Sequence, residues 1–238
     1  MTAPAPRSVP IPLAEGRVSG LLVVPSEARA AYVFAHGAGA GMTHPFMAAA
    51  ATGLAERGIA TLRFQFPAME RGSRRVDPPS VAQAAVRAAV AEAARALPGL
   101  ALFAGGKSFG GRMSSQAQAE SPLPGVHGLA FFGFPLHAAG RPSAERGAHL
   151  AAVDVPMLFL QGSRDELASL ELLEPLVAGL GSRARLAVFA DADHSFHVRA
   201  RTAGRGPGAL AGQTRDAEML AGVLDALAAW MEKSRGPP

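Results

Sequence analysis

Hydrophobic positions in this chain fall into short runs punctuated by glycine, proline and polar clusters, with longer segments of helical spacing between them. Arg17 to Val24 alternates loosely and stops at Pro25, which predicts an early strand. Ala31 to Ala35 is continuously apolar, as in a strand buried on both faces, and empties into His36-Gly37-Ala38-Gly39-Ala40-Gly41. Pro45 suits a first helical turn and Gly58 a C-terminal cap, so a helix is expected between them. Ile59 to Phe66 reads as the next strand and Pro67 to Pro79 as a polar loop. Ser80-Val81-Ala82-Gln83 fits a capping box that opens a helix. Within it Val86, Val90, Ala93 and Leu97 share one face, while Gln83, Arg87 and Arg95 share another.

Pro98-Gly99 closes that helix, and the apolar run from Leu100 ends in Gly105-Gly106-Lys107-Ser108-Phe109-Gly110-Gly111. A helix-compatible segment follows to about Glu120, then a break at Ser121 to Gly125. Val126 to Phe134 predicts a buried strand, Pro135 to Pro156 a loop-rich passage, and Met157 to Gln161 a strand ending at Gly162-Ser163-Arg164-Asp165. A helix is expected within Leu167 to Leu180, started, kinked or split by Pro175. Arg185 to Ala190 is the last strand and opens onto Asp191-Ala192-Asp193-His194. Val198 to Gln213 reads as a glycine- and arginine-rich loop before a closing helix, Thr214 to Lys233, with Leu220, Val223, Leu224, Leu227 and Met231 on one face. Strands alternating with helices, without repeat or linker, predict a single α/β domain over 1–238 with a mostly parallel sheet covered on both sides. In such sheets ligands bind beyond the carboxyl ends of the strands.

Composition narrows the class. At 238 residues, 49% hydrophobic and 18% charged, the chain can bury a sizeable core and is not a disordered segment. It has no cysteine, which removes disulfides, thiolate metal sites and cysteine nucleophiles, and agrees with a reducing compartment. Met1 to Gly20 lacks the apolar core of a signal peptide, and no stretch approaches the roughly 20 apolar residues of a membrane span, so a soluble cytoplasmic protein is expected. The net charge is +4, yet lysine occurs only at Lys107 and Lys233. Two arginine clusters, Arg71, Arg74 and Arg75, then Arg199, Arg201 and Arg205, read either as solvated loop charge or as an anion-facing rim. No helix-turn-helix, zinc-finger or RNA-binding signature accompanies them, so no nucleic-acid partner is expected.

Gly106-Lys107-Ser108-Phe109-Gly110 has the form G-x-S-x-G, in which a serine sits on a tight strand-to-helix turn. Chance alone gives roughly 0.2 such matches in a chain of this composition, so its setting must carry the assignment. That setting is informative: the carboxyl ends of the apolar strands present, in order, the His36 turn, Ser108, Asp165 and His194. A serine hydroxyl is a poor nucleophile until an imidazole takes its proton, and the imidazole needs a carboxylate to set its tautomer. His197 competes with His194 for the base, and Glu166, Asp191 and Asp193 compete with Asp165 for the acid; Asp191 and Asp193 also suit loop turns. Ser108 itself could be a small residue in a structural turn. His36 reads as a brace for its turn, His44 and His137 as lining of the site mouth or plain surface, and Lys107 as pointing to solvent or to a rim carboxylate. The glycine run from Gly37 fails as a dinucleotide fingerprint because Met42 interrupts it, and a P-loop fails at Ala101. No Asp/His spacing suits a metal, so neither metal nor cofactor is expected.

Six pieces stand in a recognisable order: the His36 to Gly41 turn, Arg63-Phe64-Gln65-Phe66-Pro67, the Ser108 turn, Phe134-Pro135-Leu136-His137, Gln161 to Asp165, and Asp193-His194-Ser195-Phe196. Together they resemble the α/β-hydrolase fold, in its small lidless dienelactone-hydrolase-like branch. Closer still is the likeness to the group that includes an animal testis-expressed hydrolase-like protein and a chromatin acetyltransferase complex subunit. Dienelactone hydrolase itself uses a cysteine nucleophile, which this chain lacks. The resemblance implies Ser108 as nucleophile, His194 as general base and acid, Asp165 as its orienting carboxylate, and the N–H groups of Ala38 and Phe109 as oxyanion donors. Glu166 stands where that group commonly has proline, which leaves Asp165 and Glu166 both open as the acid. The implied activity is hydrolysis of a small ester or thioester through an acyl-enzyme, by a monomer or homodimer. The alternatives are a hydrolase-fold scaffold for protein interaction and an acyltransferase. The short stretch between Phe134 and Met157 implies little or no lid and an open, shallow site.

Overall fold

The computed structural model describes residues 4–73, 75–198 and 208–235. In chain order the elements are β1 (Arg7–Pro12), β2 (Arg17–Val23), β3 (Ala30–Ala35), α1 (Pro45–Glu56), β4 (Ile59–Phe64), α2 (Pro67–Glu70), α3 (Pro79–Ala96), β5 (Ala101–Lys107), α4 (Phe109–Glu120), β6 (Val126–Phe132), β7 (Met157–Gly162), α5 (Leu170–Gly179), β8 (Ala184–Phe189) and α6 (Gly208–Ser234). A 3-10 helix, Glu145–Ala152, lies between β6 and β7.

Alternate residues of β3 divide between two cores, as the two-residue period of a strand requires. Ala31, Val33 and Ala35 join one cluster with Ala85, Val86 and Ala89 of α3 and Met113 of α4. Ala30, Tyr32 and Phe34 join the other with Met47 and Leu54 of α1 and Leu224 and Leu227 of α6. The all-apolar β3 run therefore marks a strand with a helical layer on each side. Phe34, Phe64, Phe103 and Phe131 are fully buried, each stabilising the fold by about 1.5–3 kcal/mol.

The eight strands form one sheet in the order β1-β2-β4-β3-β5-β6-β7-β8. From β4 to β8 neighbouring strands pair in parallel, and β2 pairs antiparallel with β1 and β4. Order reverses at β3, which lies between β4 and β5, and a crevice opens at such a reversal. Among the described residues no lid domain interrupts this α/β-hydrolase fold, and no helix is long and apolar enough to cross a membrane.

Four local expectations change. β1 was not legible because Pro10 and Pro12 argue against a strand; at a sheet edge their missing N–H groups cost nothing. Ser80 does not cap α3: the helix starts two residues earlier than that box implies, at Pro79, whose ring presets the first turn, and no side chain caps it. The loop expected from Pro67 contains the one-turn α2. The closing helix starts at Gly208, so only 199–207 of the expected Val198–Gln213 loop lie between the described residues, and Arg199, Arg201 and Arg205 lie outside them. Arg74 also lies outside, while Arg71 faces Asp77 at 3.6 Å. Pro175 falls inside α5 without ending it.

Candidate active site

Ser108 joins β5 to α4 with φ 51° and ψ −116°, a strained conformation for a residue with a side chain. The turn closes because its glycines lack Cβ atoms. A Cβ on Gly106 would stand 2.4 Å from the Ala35 carbonyl oxygen, and one on Gly110 2.5 Å from the same atom. Strand β3 thus lies against the turn, and the glycine spacing is a packing requirement.

Ser108 Oγ stands 2.9 Å from His194 Nε2, and His194 Nδ1 stands 2.7 Å from Asp165 Oδ2. A carboxylate only accepts, so Nδ1 carries the imidazole proton and Nε2 is left to accept from the serine hydroxyl. The Asp165 side chain has no solvent exposure, against 23% for His194. Its oxygens also receive Gln161 Nε2 at 2.5 Å and the Leu167 N–H at 2.8 Å. Gln161 in turn accepts the Phe134 N–H at 3.0 Å, so this buried amide ties β7, the segment after β6 and the carboxylate together. In the sequence Gln161 stands out only within the Gln161 to Asp165 piece, as a lone amide at the end of an apolar run.

The competing residues have other partners. Glu166 is exposed, which leaves Asp165 as the carboxylate at the imidazole. Asp191 pairs with Arg164 at 2.8 Å, Asp193 accepts the N–H groups of Ser195 and His197, and His197 bonds Asp216 at 2.7 Å.

His36 is buried, accepts the Phe66 N–H at Nε2 (3.1 Å) and bonds the Gly37 carbonyl through Nδ1 (2.7 Å). Burial lowers its pKa, keeping it a neutral brace for the turn. Ala38 lines the cavity beside Ser108. Phe109 is the first residue of α4, so its N–H has no partner inside the helix. His44 caps α1 through Nδ1, 3.2 Å from the Phe46 nitrogen, and lines the cavity. His137 is buried and does not line it; its ring bonds Ser169 N and Ala138 O.

Lys107 departs from expectation. Rather than reaching solvent or a rim carboxylate, its Nζ donates to the His194 carbonyl oxygen at 2.5 Å and stands over the Phe46 and Phe196 rings. Burial pushes its ammonium down to about 8, against the opposing pull of Asp165 and Asp193.

The cavity above Ser108 holds about 930 Å³ and is walled largely by apolar side chains, among them Phe46, Met47, Leu167, Phe196 and Leu220. Residues of α1 and α6 wall it on one side. Among the described residues no cluster of three or more His, Cys, Asp or Glu could hold a metal.

A sheet reversing at β3, a serine on a strained turn and helices on both faces define the α/β-hydrolase class. The chain belongs to the alpha/beta hydrolase domain family, which matches residues 28–221. Among solved structures it is similar to dienelactone hydrolase from Anabaena variabilis, with 22% identity over 98% of this chain and 99% of that one and a TM-score of 0.74. It is also similar to an α/β serine hydrolase homologue from Coxiella burnetii (19% identity, 95% of this chain and 100% of that one, TM-score 0.73). A lidless α/β serine hydrolase from Xanthomonas campestris matches at 18% identity over 98% of this chain and 97% of that one, with a TM-score of 0.71. At these identities the likeness is one of fold.

Proposed function

We propose that the protein is a serine hydrolase of the carboxylesterase type, cleaving an ester or thioester through an acyl-enzyme. The observation that carries this reading is the hydrogen-bonded line from Ser108 through His194 to Asp165, opening onto an apolar cavity. Ser108 Oγ attacks the acyl carbon while its proton passes to His194 Nε2, and the imidazolium is held by Asp165. The negative charge that develops on the carbonyl oxygen meets the N–H groups of Ala38 and Phe109. Collapse expels the alcohol or thiol, which takes the proton from Nε2; water, deprotonated by the same nitrogen, then attacks the ester on Ser108 and frees the hydroxyl.

The cavity, at about 930 Å³, lies near the top of the roughly 300–1,000 Å³ range of small-molecule sites. It accommodates a medium-sized apolar acyl or alcohol group as readily as a small one. On the order of its motifs we place the chain in the dienelactone-hydrolase-like branch, beside the group of testis-expressed hydrolase-like proteins. The test is hydrolysis of p-nitrophenyl esters of graded chain length together with labelling by a fluorophosphonate probe. Ser108→Ala is expected to lose both with an unchanged circular-dichroism spectrum. Hydrolysis retained by that variant would refute the assignment, and folded wild-type protein that takes no label would favour a non-catalytic scaffold.

A further inference from the structure

Lys107 is one of only two lysines in the chain, and it directly precedes Ser108. Its stem passes the His36 turn, where a Cβ on Gly37 would lie 3.7 Å from its Cγ. Its Nζ ends 2.5 Å from the His194 carbonyl oxygen, with the Phe46 ring at 5.9 Å and the Phe196 ring at 5.8 Å. Gly133, at φ 64°, leaves the necessary room: a Cβ there would stand 3.1 Å from both Lys107 Nζ and His194 Nδ1. One ammonium therefore holds the backbone of the residue whose ring reaches Ser108, and it packs on the side chain two residues further on.

A methionine would fill the space between the two rings without the cost of burying a charge. The site depresses the ammonium's pKa to about 8, so the cation is kept against the preference of its surroundings. A local rule broken in this way points to function. We infer that Lys107 is a positioning residue for the reaction: by donating to the His194 carbonyl between Phe46 and Phe196, it fixes the loop that keeps His194 Nε2 within reach of Ser108 Oγ. This rests on the serine-hydrolase reading above. In this role Lys107 acts through the His194 backbone and not as a proton donor or acceptor, although it shares the cavity lining with Ser108.

The charged and titratable groups facing the ammonium are Asp165 from the segment after β7, and Asp193 and His194 from the segment after β8. His44 at the start of α1 and the His197–Asp216 pair at α6 share the cavity lining. As the pH rises through about 8 the ammonium loses its proton. A neutral amine donates a weaker hydrogen bond and has no cation–π attraction, so kcat falls partway on the alkaline side.

Lys107→Met keeps the stem and deletes the donor. Its kcat is expected to fall about 10–100-fold with KM changed by less than about 3-fold, and the alkaline decline is expected to vanish. Because the chain has no cysteine, Lys107→Cys creates a single thiol that can be alkylated selectively, with intact mass checking completeness. Aminoethylation of that thiol restores an ammonium at nearly the original reach and is expected to recover at least about 10-fold in kcat together with the alkaline decline. Propylation, which restores bulk without charge, is expected to recover neither. Should Lys107→Met fail to fold, the two alkylated forms, compared at equal folded fraction, decide the matter.

Wild-type kcat and pH profile in Lys107→Met, or equal rescue by propylation, would overturn the inference. Ser108→Ala and fluorophosphonate labelling run in parallel keep the two readings apart. A wild-type protein that neither hydrolyses nor labels sinks the hydrolase reading itself. An active wild type with an unaffected Lys107→Met sinks only the positioning role.

Discussion

A Cβ on Gly162 would stand 2.4 Å from the Ala192 carbonyl oxygen and 2.6 Å from that of Asp193. The end of β7 is thus pressed against the turn that delivers His194, three residues before Asp165 leaves the same strand. Gly162→Ala must push that turn away. Overpacking of this kind costs about 1–3 kcal/mol, and displacing His194 by an ångström lowers kcat on the order of 10²-fold. Urea denaturation and steady-state kinetics on one preparation check both numbers; an unchanged kcat would mean that the turn shifts without carrying the imidazole with it.

Gln161 is the second support of the same carboxylate. Gln161→Leu removes a donor from Asp165 and leaves the buried Phe134 N–H without its acceptor. A loss of about 1–3 kcal/mol is expected, with kcat reduced more than KM is raised. Gln161→Glu is expected to be worse, because it sets a second carboxylate beside the first. Thermal unfolding and ester kinetics of the two variants rank them.

Most of this arrangement could be read from the chain itself. The apolar runs at Ala31, Leu102 and Met157 are strands buried on both faces, and their polar ends had to meet along one rim. What periodicity does not encode is the pairing between distant segments. The glycine clearance at Gly162, the Gln161 bridge and the aim of Lys107 depend on which strands become neighbours. β1 was hidden for another reason: its prolines are tolerated only because the strand sits at an edge, a fact of topology.

His149 predicts a pH dependence of stability. Burial, then the nearby Arg112 guanidinium, push its imidazole down to about 4 from an ordinary 6.5, against an opposing bond to the Arg146 backbone. Between those values the unfolded chain holds a proton that the folded chain does not, so folding is penalised as the pH drops. The contribution of neutral His149 is complete above about 6.5, fades below it and is gone below about 4. His149 is half-buried and its ring is 2.8 Å from Ser115 Oγ. The difference in Tm between wild type and His149→Gln should therefore shrink from pH 7 to pH 4, whereas a constant difference would place the effect elsewhere.

Under the sheet, Tyr32 donates to the Ala130 carbonyl at 2.8 Å across the space left by Gly105, whose φ is 147°. Tyr32→Phe is expected to cost about 0.5–1.5 kcal/mol. Gly105→Ala should be far more damaging, since its Cβ would fall 1.9 Å from the same carbonyl oxygen. Chemical denaturation midpoints of the two variants test the order, and reversal of it would mean that β5 and β6 separate at little cost.

The sheet order also sets when reactivity can appear. Ser108 and the ring it meets are 86 residues apart, and β6 and β7 must be laid down before β8 can bring that ring across. Under the proposed mechanism, Ser108 on a nascent chain therefore stays an ordinary alcohol until His194 has emerged from the ribosome and the far strands have paired. Covalent capture of Ser108 by an electrophile then becomes a timer for completion of the far half of the molecule.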